Sequence, residues 1–421
     1  MAHGGVAVEI EREVRSDSGP GRPPVIILNL FYTGLGIARD LAGRGLRVVG
    51  LSAHRKIYGN YTRFCEVRFC PNSQQEPEKL LEYLLQAGGE LHGAVIFPTC
   101  DADVVFLDRF RSELEPYYRL SIPPHDTFLR TVDKYSLVRV AMQAGVPVPR
   151  TAVITRGEHL SHVADRVGFP CVVKPISSVQ WRMGDNWSKV GGRKAFRVDS
   201  LEQLQRECAR LEEVSHELLI QEMIPGPADQ IVVLGGYVDR NSQPVGYFTA
   251  RKLVQAPDDF GTGCVVQSEP IPEIVDSTLK LWRALEYQGM AEVEYKYDPR
   301  DSQYKLIEIN TRHWDQHQLG RASGINLTWA AYCHVTGRPV ESMVKPIQRT
   351  QWVAEDTLLL HVLGSLVRPQ QRTPNLWKKL SRPRMYGISA WNDPMPACRY
   401  FVTVVFPNLV RGVLKKFRGE F

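Results

Sequence analysis

Apolar and polar positions alternate most cleanly over residues 290–312, M-A-E-V-E-Y-K-Y-D-P-R-D-S-Q-Y-K-L-I-E-I-N-T-R. Ala291, Val293, Tyr295 and Tyr297 share one parity, and Glu292, Glu294 and Lys296 share the other. Asp298-Pro299-Arg300-Asp301-Ser302 supplies turn residues before Tyr304-Lys305-Leu306-Ile307 resumes an extended run. The pattern predicts a β-hairpin with a loop of about five residues. Placing Tyr295 opposite Ile307 sets Glu294 opposite Glu308 and Glu292 opposite Asn310. Carboxylates facing each other across an antiparallel pair repel. A divalent cation between them removes the repulsion, and magnesium accepts carboxylate and amide oxygens while keeping positions for phosphate oxygens. Arg312, further along the same face, then suits a phosphate or carboxylate. Taken alone, the hairpin reads equally well as a solvated face of mixed charge.

The rest of the chain follows the same logic. Residues 25–30 are continuously apolar, as in a strand buried on both faces. Gly34-Leu35-Gly36, helical spacing over 37–45 and a second strand over 47–51 make a βαβ unit that opens a parallel sheet. A dinucleotide fingerprint needs glycine at position 39, where arginine stands, so the glycines are read as serving a tight strand-to-helix turn. A strand over 93–97 runs into Pro98-Thr99-Cys100-Asp101-Ala102-Asp103. There Asp101 either meets a substrate amine, or Asp101 or Asp103 caps a helix beginning at Val104. Asp133-Lys134 opens an amphipathic helix that runs through Ala144. Lys174 ends an apolar strand before Pro175, so it either reaches solvent or aims at an anion. Residues 176–194, rich in Ser, Gly and Lys, read as a loop whose backbone amides suit phosphates. Ser200 is read as the N-cap of a helix over 200–214. A strand over 218–222 ends in Glu222 and a Pro225-Gly226 turn, with Asp229 seven residues after Glu222. Strands over 231–238 and 245–249 follow, Arg251-Lys252 sit at a strand end, and Gly261-Thr262-Gly263 forms a polar loop.

Composition narrows the field. A chain of 421 residues exceeds one ordinary core, so two or three domains are expected. Hydrophobic residues at 43% and charged residues at 23% are ordinary for a globular protein, and a net charge of +6 gives no reason to invoke nucleic acid. The eight cysteines are scattered without a C-x-x-C, which argues against a zinc knuckle or a disulfide framework and fits a reducing cytosol. Residues 1–23 lack periodicity and read as a mobile leader, with no signal-peptide core. No apolar run is long enough to span a bilayer.

In order and spacing, Asp133-Lys134, Val172-Val173-Lys174-Pro175, the glycine-rich loop, Gln221-Glu222-Met223-Ile224, Asp229, Arg251-Lys252, Glu294 and Glu308-Ile309-Asn310-Thr311-Arg312 resemble the ATP-grasp superfamily. Within it they look like the carboxylate–amine ligases, of the D-aspartate ligase and amino-acid or peptide ligase type. The resemblance covers roughly residues 22–338. It implies α/β plus α+β architecture: a Rossmann-like pre-ATP-grasp domain over 24–130, a small lobe with its linker helix over 131–224, and a large lobe with the metal site over 225–338. Residues 339–421 form a C-terminal extension. The implied roles are phosphate binding for Lys134 and Lys174, and adenine reading at a hinge of Gln221, Glu222, Met223 and Ile224. Asp229 would hold the ribose, Glu294, Glu308 and Asn310 would bind Mg2+ or Mn2+, and Arg251 and Arg312 would be catalytic. Asp101, Lys252 and His313 are candidate substrate residues, and 313–321 is assigned to the acceptor side. His313 and His317 stand four apart, but no third zinc ligand accompanies them.

The implied reaction consumes ATP and joins a small carboxylate to an amine through an acyl phosphate, giving ADP and phosphate. The alternatives are a silent nucleotide-binding regulator, or a carboxylate kinase or ligase with another acceptor. Partners would be small molecules rather than nucleic acid, and the location cytoplasmic. Residues 399–421 mix large apolar residues with Arg411, Lys415, Lys416 and Arg418. They read either as a helix docking on the body or as a basic amphipathic segment lying on an anionic membrane surface.

Overall fold

The computed structural model describes residues 21–155, 160–177, 181, 185–257, 260–367, 373–380 and 384–407. Three sheets organise them. The first is parallel, in the order β3-β2-β1-β4-β5, with β1 Val25–Leu28, β2 Val48–Ser52, β3 Glu66–Phe69, β4 Val95–Phe97 and β5 Arg119–Leu120. The second is antiparallel, in the order β6-β9-β7-β8, with β6 Thr151–Thr155, β7 Cys171–Pro175, β8 Phe196–Val198 and β9 Glu217–Glu222.

The third sheet has seven strands, β10 Ile231–Val238, β11 Pro244–Ala256, β12 Thr262–Ser268, β13 Gly289–Asp298, β14 Gln303–Asn310, β15 Gln351–Val353 and β16 Arg384–Tyr386. Their order is β14-β13-β10-β11-β12-β15-β16. A parallel N-terminal sheet followed by mixed α+β lobes is the architecture the sequence predicts.

Several boundaries differ from expectation, each for a local reason. The first strand stops at Leu28 because Asn29 turns the chain with φ +65°, and the helix Tyr32–Leu41 already contains Gly34 and Gly36. These glycines serve close packing rather than the turn. A Cβ on Gly34 would lie 2.0 Å from the Asn29 carbonyl oxygen, and one on Gly36 would lie 2.6 Å from His317 Cε1. Strand β11 runs on well past Thr249, so Arg251 and Lys252 lie within it rather than at its end. Gly263 belongs to β12 rather than to a loop.

In the hairpin, Glu294 pairs with Glu308 and Glu292 with Asn310, but Tyr295 pairs with Leu306. A β-bulge leaves Ile307 as the extra residue, and the two carboxylates still face each other across it.

The extension is built into the body. Strand β15 adds to β12, and β16 adds to β15 in parallel. Asp393, almost fully buried, accepts from Arg39 Nε at 3.1 Å, Thr62 Oγ1 at 2.8 Å and the Arg63 amide at 3.1 Å, tying the extension to the N-terminal domain. The helix Met395–Tyr400 docks with the Tyr400 ring 5.9 Å from that of Tyr58 and Arg399 over Tyr61. Docking is therefore what the start of the tail does; Phe401, Val402 and Phe406 beyond it are exposed, and 408–421 lie outside the described residues. Among the described residues no helix is long and apolar enough to cross a membrane. Of the eight cysteines, Cys398 is exposed, Cys70 and Cys100 are half-buried, and the other five are buried.

Candidate functional site

A cavity of about 920 Å3 lies between the three sheets. One wall comes from the four-stranded sheet and the helix that precedes it. Asp133 caps the helix Lys134–Gln143 by accepting from the Ser136 amide at 2.6 Å, which places Lys134 in the first turn at the cavity. Lys174, on β7, donates to Gln221 Oε1 at 2.8 Å, and Gln221 in turn donates to Thr151 Oγ1 at 2.9 Å. Burial, reinforced by Lys134, pulls the Lys174 ammonium down to about 8. A buried ammonium beside a second cation is poised for an anion.

The hinge is arranged differently from the simplest expectation. The Glu222 carboxylate is held by cations: Arg150 Nε at 2.9 Å, Arg300 at 3.2 Å and Lys305 at 3.5 Å, with the Arg150 amide at 3.0 Å. The Met223 amide donates to the Pro170 carbonyl at 3.0 Å. Among the described residues the Met223 carbonyl and the Ile224 amide make no hydrogen bond. Asp229 lines the same end, with its Oδ2 2.9 Å from Lys379 Nζ.

The opposite wall is the hairpin. Glu292, Glu294, Glu308, Asn310 and Arg312 all line the cavity. The facing carboxylates already have an internal cation, because Lys252 of β11 forms a buried ion pair with Glu294. Burial opposes the Lys252 charge, but Glu294 and Glu292 outweigh it and raise its pKa. Glu308 accepts no hydrogen bond among the described residues. Burial pushes its carboxyl up, yet Lys134, Lys194, Lys252 and Lys174 together hold it below the usual range. Arg312 donates through Nε to Asp101 at 2.7 Å and through Nη1 to the His313 carbonyl at 3.0 Å.

Two expected site residues do not face the cavity. Successive residues of a strand point to opposite sides. With Lys252 inward, Arg251 points away, to Glu269 at 2.6 Å and the Asp229 carbonyl at 2.8 Å. His313 is buried, 3.2 Å from Thr328 Oγ1 of the helix Leu327–Val335, with its ring 5.2 Å from that of Phe97 at the end of β4. Its neighbours Trp314, Asp315 and Gln316 line the cavity instead. Asp101 does line it, as an ion-pair partner of Arg312; the helix begins at Asp101 rather than at Val104, with Cys100 at its N-cap, and Asp103 in its first turn accepts from the Thr99 and Cys100 amides at 3.0 and 3.2 Å. Of the loop over 176–194, Trp181, Trp187 and Lys194 reach the cavity; 178–180 and 182–184 lie outside the described residues.

Three features of the site have no counterpart among the residues expected from the sequence. Glu292 shares the parity of Glu294 and belongs to the site as well. It is buried, takes a hydrogen bond from Asn310 Nδ2 at 2.9 Å, and is pushed up to about 7 by burial. The cations around Glu222 come from two separate segments, Arg150 ahead of β6 and Arg300 with Lys305 in the β13–β14 hairpin, and Lys379 comes from 150 residues beyond Asp229. Neither carries a local signal.

Among the described residues no group of three or more His, Cys, Asp or Glu side chains could hold a metal by itself. Glu294, Glu308 and Asn310 nonetheless offer hard oxygen donors on one wall, with Glu308 unbonded, and that fits a hard cation whose remaining ligands come from phosphate oxygens and water.

Comparison with known proteins bears on the fold and on what the chain is similar to. Residues 240–340 match the family described as the carbamoyl-phosphate synthase L chain, ATP binding domain. The chain is 27% identical over 279 residues to D-aspartate ligase of Enterococcus faecium (strain Aus0004), a match covering 63% of this chain and 65% of that one, just under two thirds of its length. N5-carboxyaminoimidazole synthetase from Staphylococcus aureus superposes with a TM-score of 0.62 at 14% identity, covering 82% of this chain and 86% of that one. L-amino acid ligase from Bacillus licheniformis does so with a TM-score of 0.57 at 17% identity, covering 76% and 75%. The fold is that of the ATP-grasp proteins.

Proposed function

We propose that this chain, an ATP-grasp protein by its fold, is an ATP-dependent carboxylate–amine ligase. The observation that carries the reading is the convergence of Lys134, Lys174, Glu294, Glu308, Asn310 and Arg312 on one cavity. The 27% identity to a D-aspartate ligase favours an amino acid or similar small molecule on each side of the new amide bond.

In this reading the hinge at Met223 and Ile224 takes the adenine, Asp229 the ribose, and Lys134 and Lys174 the phosphates. A carboxylate and a triphosphate repel each other, so their approach needs positive charge fixed in advance. Lys134, Lys174 and Arg312 supply it from three different elements. Glu294, Glu308 and Asn310 would hold magnesium, which when bound neutralises phosphate charge. Asp101 keeps Arg312 oriented toward the cavity. A carboxylate oxygen attacks the γ-phosphorus of ATP and ADP leaves, giving an acyl phosphate; an amine then attacks its carbonyl carbon, loses a proton, and phosphate leaves. No protein nucleophile takes part. Lys252 is assigned to hold Glu294 rather than to contact substrate, and Arg251 to support Asp229 rather than to act catalytically.

The test is phosphate release from ATP and Mg2+ over a panel of amino acids and dipeptides, with mass spectrometry of the products. A pair of substrates that releases phosphate and yields a condensed amide supports the ligase. ATP binding without any substrate-stimulated turnover favours a silent nucleotide-binding protein, and phosphate release without an amide favours another acceptor. In parallel, Lys174→Ala should weaken ATP binding by about tenfold or more while the protein stays folded, because one charge-assisted contact is lost. Unchanged ATP affinity in a folded Lys174→Ala protein would sink the nucleotide assignment.

A further inference from the structure

The C-terminal extension enters the cavity at one place. Thr373, Pro374 and Lys379 line the cavity beside Asp229. Lys379 ends a short helix, Leu376–Lys379, whose position is fixed from two directions. Its carbonyl accepts from Gln351 Nε2 of β15, and the next residue, Leu380, is buried in the core that contains Trp352 and Val353. The ammonium therefore arrives on an anchored backbone. It donates to Asp229 Oδ2 at 2.9 Å and to the Leu253 carbonyl at 2.9 Å.

Asp229 is held at a second point, since Arg251 donates to its carbonyl at 2.8 Å. Among the described residues Oδ1 accepts no hydrogen bond. An ionised carboxylate has about four acceptor positions, so one ammonium leaves room for two hydroxyl donors.

We infer that Lys379 is a positioning residue of the nucleotide site, fixing the Asp229 carboxylate so that its free oxygen accepts the ribose hydroxyls of bound ATP. This rests on the nucleotide reading given above. The extension is then part of the nucleotide site. The competing possibility is a latch, in which Lys379 blocks Asp229 and a nucleotide must expel it. The second bond to Leu253 and the anchored backbone favour positioning, because a latch needs freedom to swing away.

The two differ in sign. The experiment uses the full chain with Lys379→Met, which keeps length and removes charge, and Lys379→Arg, which keeps charge. Binding of Mg-ATP and Mg-2′-deoxy-ATP is measured by calorimetry, with kcat and KM for ATP where turnover is found. Positioning predicts that Lys379→Met raises KM and Kd for ATP by about tenfold with kcat within about twofold, the loss expected for one charge-assisted contact. It also predicts that the parent prefers ATP to the deoxynucleotide, that the preference collapses in Lys379→Met, and that Lys379→Arg restores most of it. A purely structural lysine would not change the ratio of the two nucleotides.

Unchanged or tighter ATP binding in Lys379→Met overturns the inference in favour of a neutral contact or a latch. So does a preference for ATP over the deoxynucleotide that survives the substitution. If the parent binds neither nucleotide, the nucleotide reading itself has failed.

Discussion

Glu308 stands in a ring of lysines, and this changes what its removal does. Repulsion from Glu294 alone would make Glu308→Gln neutral or stabilising in the metal-free protein. With Lys134, Lys194, Lys252 and Lys174 holding the carboxylate ionised, the substitution instead leaves those cations under-compensated. Glu308→Gln should therefore cost about 1–3 kcal/mol at pH 7. A depressed carboxyl pKa contributes stability above the unfolded pKa and loses it as pH falls through the folded one. The difference from the parent should accordingly shrink in acid, which melting curves at pH 7 and pH 3 would check. Lys174 runs the other way. Its ammonium, drawn down to about 8, must be protonated to hold phosphate. ATP affinity should be flat below pH 8 and fall by up to about tenfold per unit above it. In Lys174→Gln the same titration should be flat, and calorimetry at pH 7, 8 and 9 decides. At this scale the sequence was legible where neighbours are local. Alternation placed Glu294 opposite Glu308 correctly, even though the bulge at Ile307 shifted Tyr295 to Leu306, because the bulge lies between the two matched regions. It failed for Arg251, where two adjacent cations cannot both face one cavity and nothing local says which one does.

The helix Tyr32–Leu41 is buried along nearly its whole length, and that is why its start was hard to read. A helix covered on all sides has no clean polar stripe, so Gly34 and Gly36 looked like turn residues. Their service is proximity. Gly36 lets the helix meet His317 and Gln318 of the short helix His317–Ser323, and Asp40 on the same helix receives Thr328 Oγ1 at 2.8 Å and Arg321 at 3.2 Å. Gly36→Ala would drive a methyl into the His317 ring. The cost should be about 1–3 kcal/mol from overpacking, set against the gain that alanine normally brings to a helix interior. Thermal unfolding should reveal a net loss; a raised melting temperature would mean the His317 ring yields freely. Strand β11 carries the matching lesson. Its expected end at Thr249 reflected the charges that follow, yet the strand carries them on because Glu269 pairs with half-buried Arg251 and Glu294 with buried Lys252.

Across the whole molecule, the extension was the part least legible in the sequence, because its contacts span hundreds of residues. Asp393 closes on Arg39 in a pair that is almost completely buried. Breaking a buried pair from one side leaves an uncompensated charge, so Asp393→Ala should destabilise by about 3–5 kcal/mol. Denaturant titration would check it, and a loss under 1 kcal/mol would mean that water or the Gly387 and Ile388 carbonyls suffice for Arg39. The tail beyond Tyr400 invites a separate measurement. If exposed Phe401, Val402 and Phe406 and the basic residues after them lie on an anionic membrane, the full chain should sediment with phosphatidylserine vesicles and a chain ending at 400 should not. Absence of sedimentation for the full chain would leave docking as the tail's whole role. The same region offers a practical opening. Because Cys398 is the exposed thiol and burial pushes the half-buried Cys70 thiol up to about 12 and the Cys100 thiol upward as well, a maleimide dye at neutral pH should couple once, at the root of the tail. The unaltered sequence thus carries its own attachment point for a fluorophore, and the colour and anisotropy of that dye would follow the tail in real time as nucleotide or lipid is added.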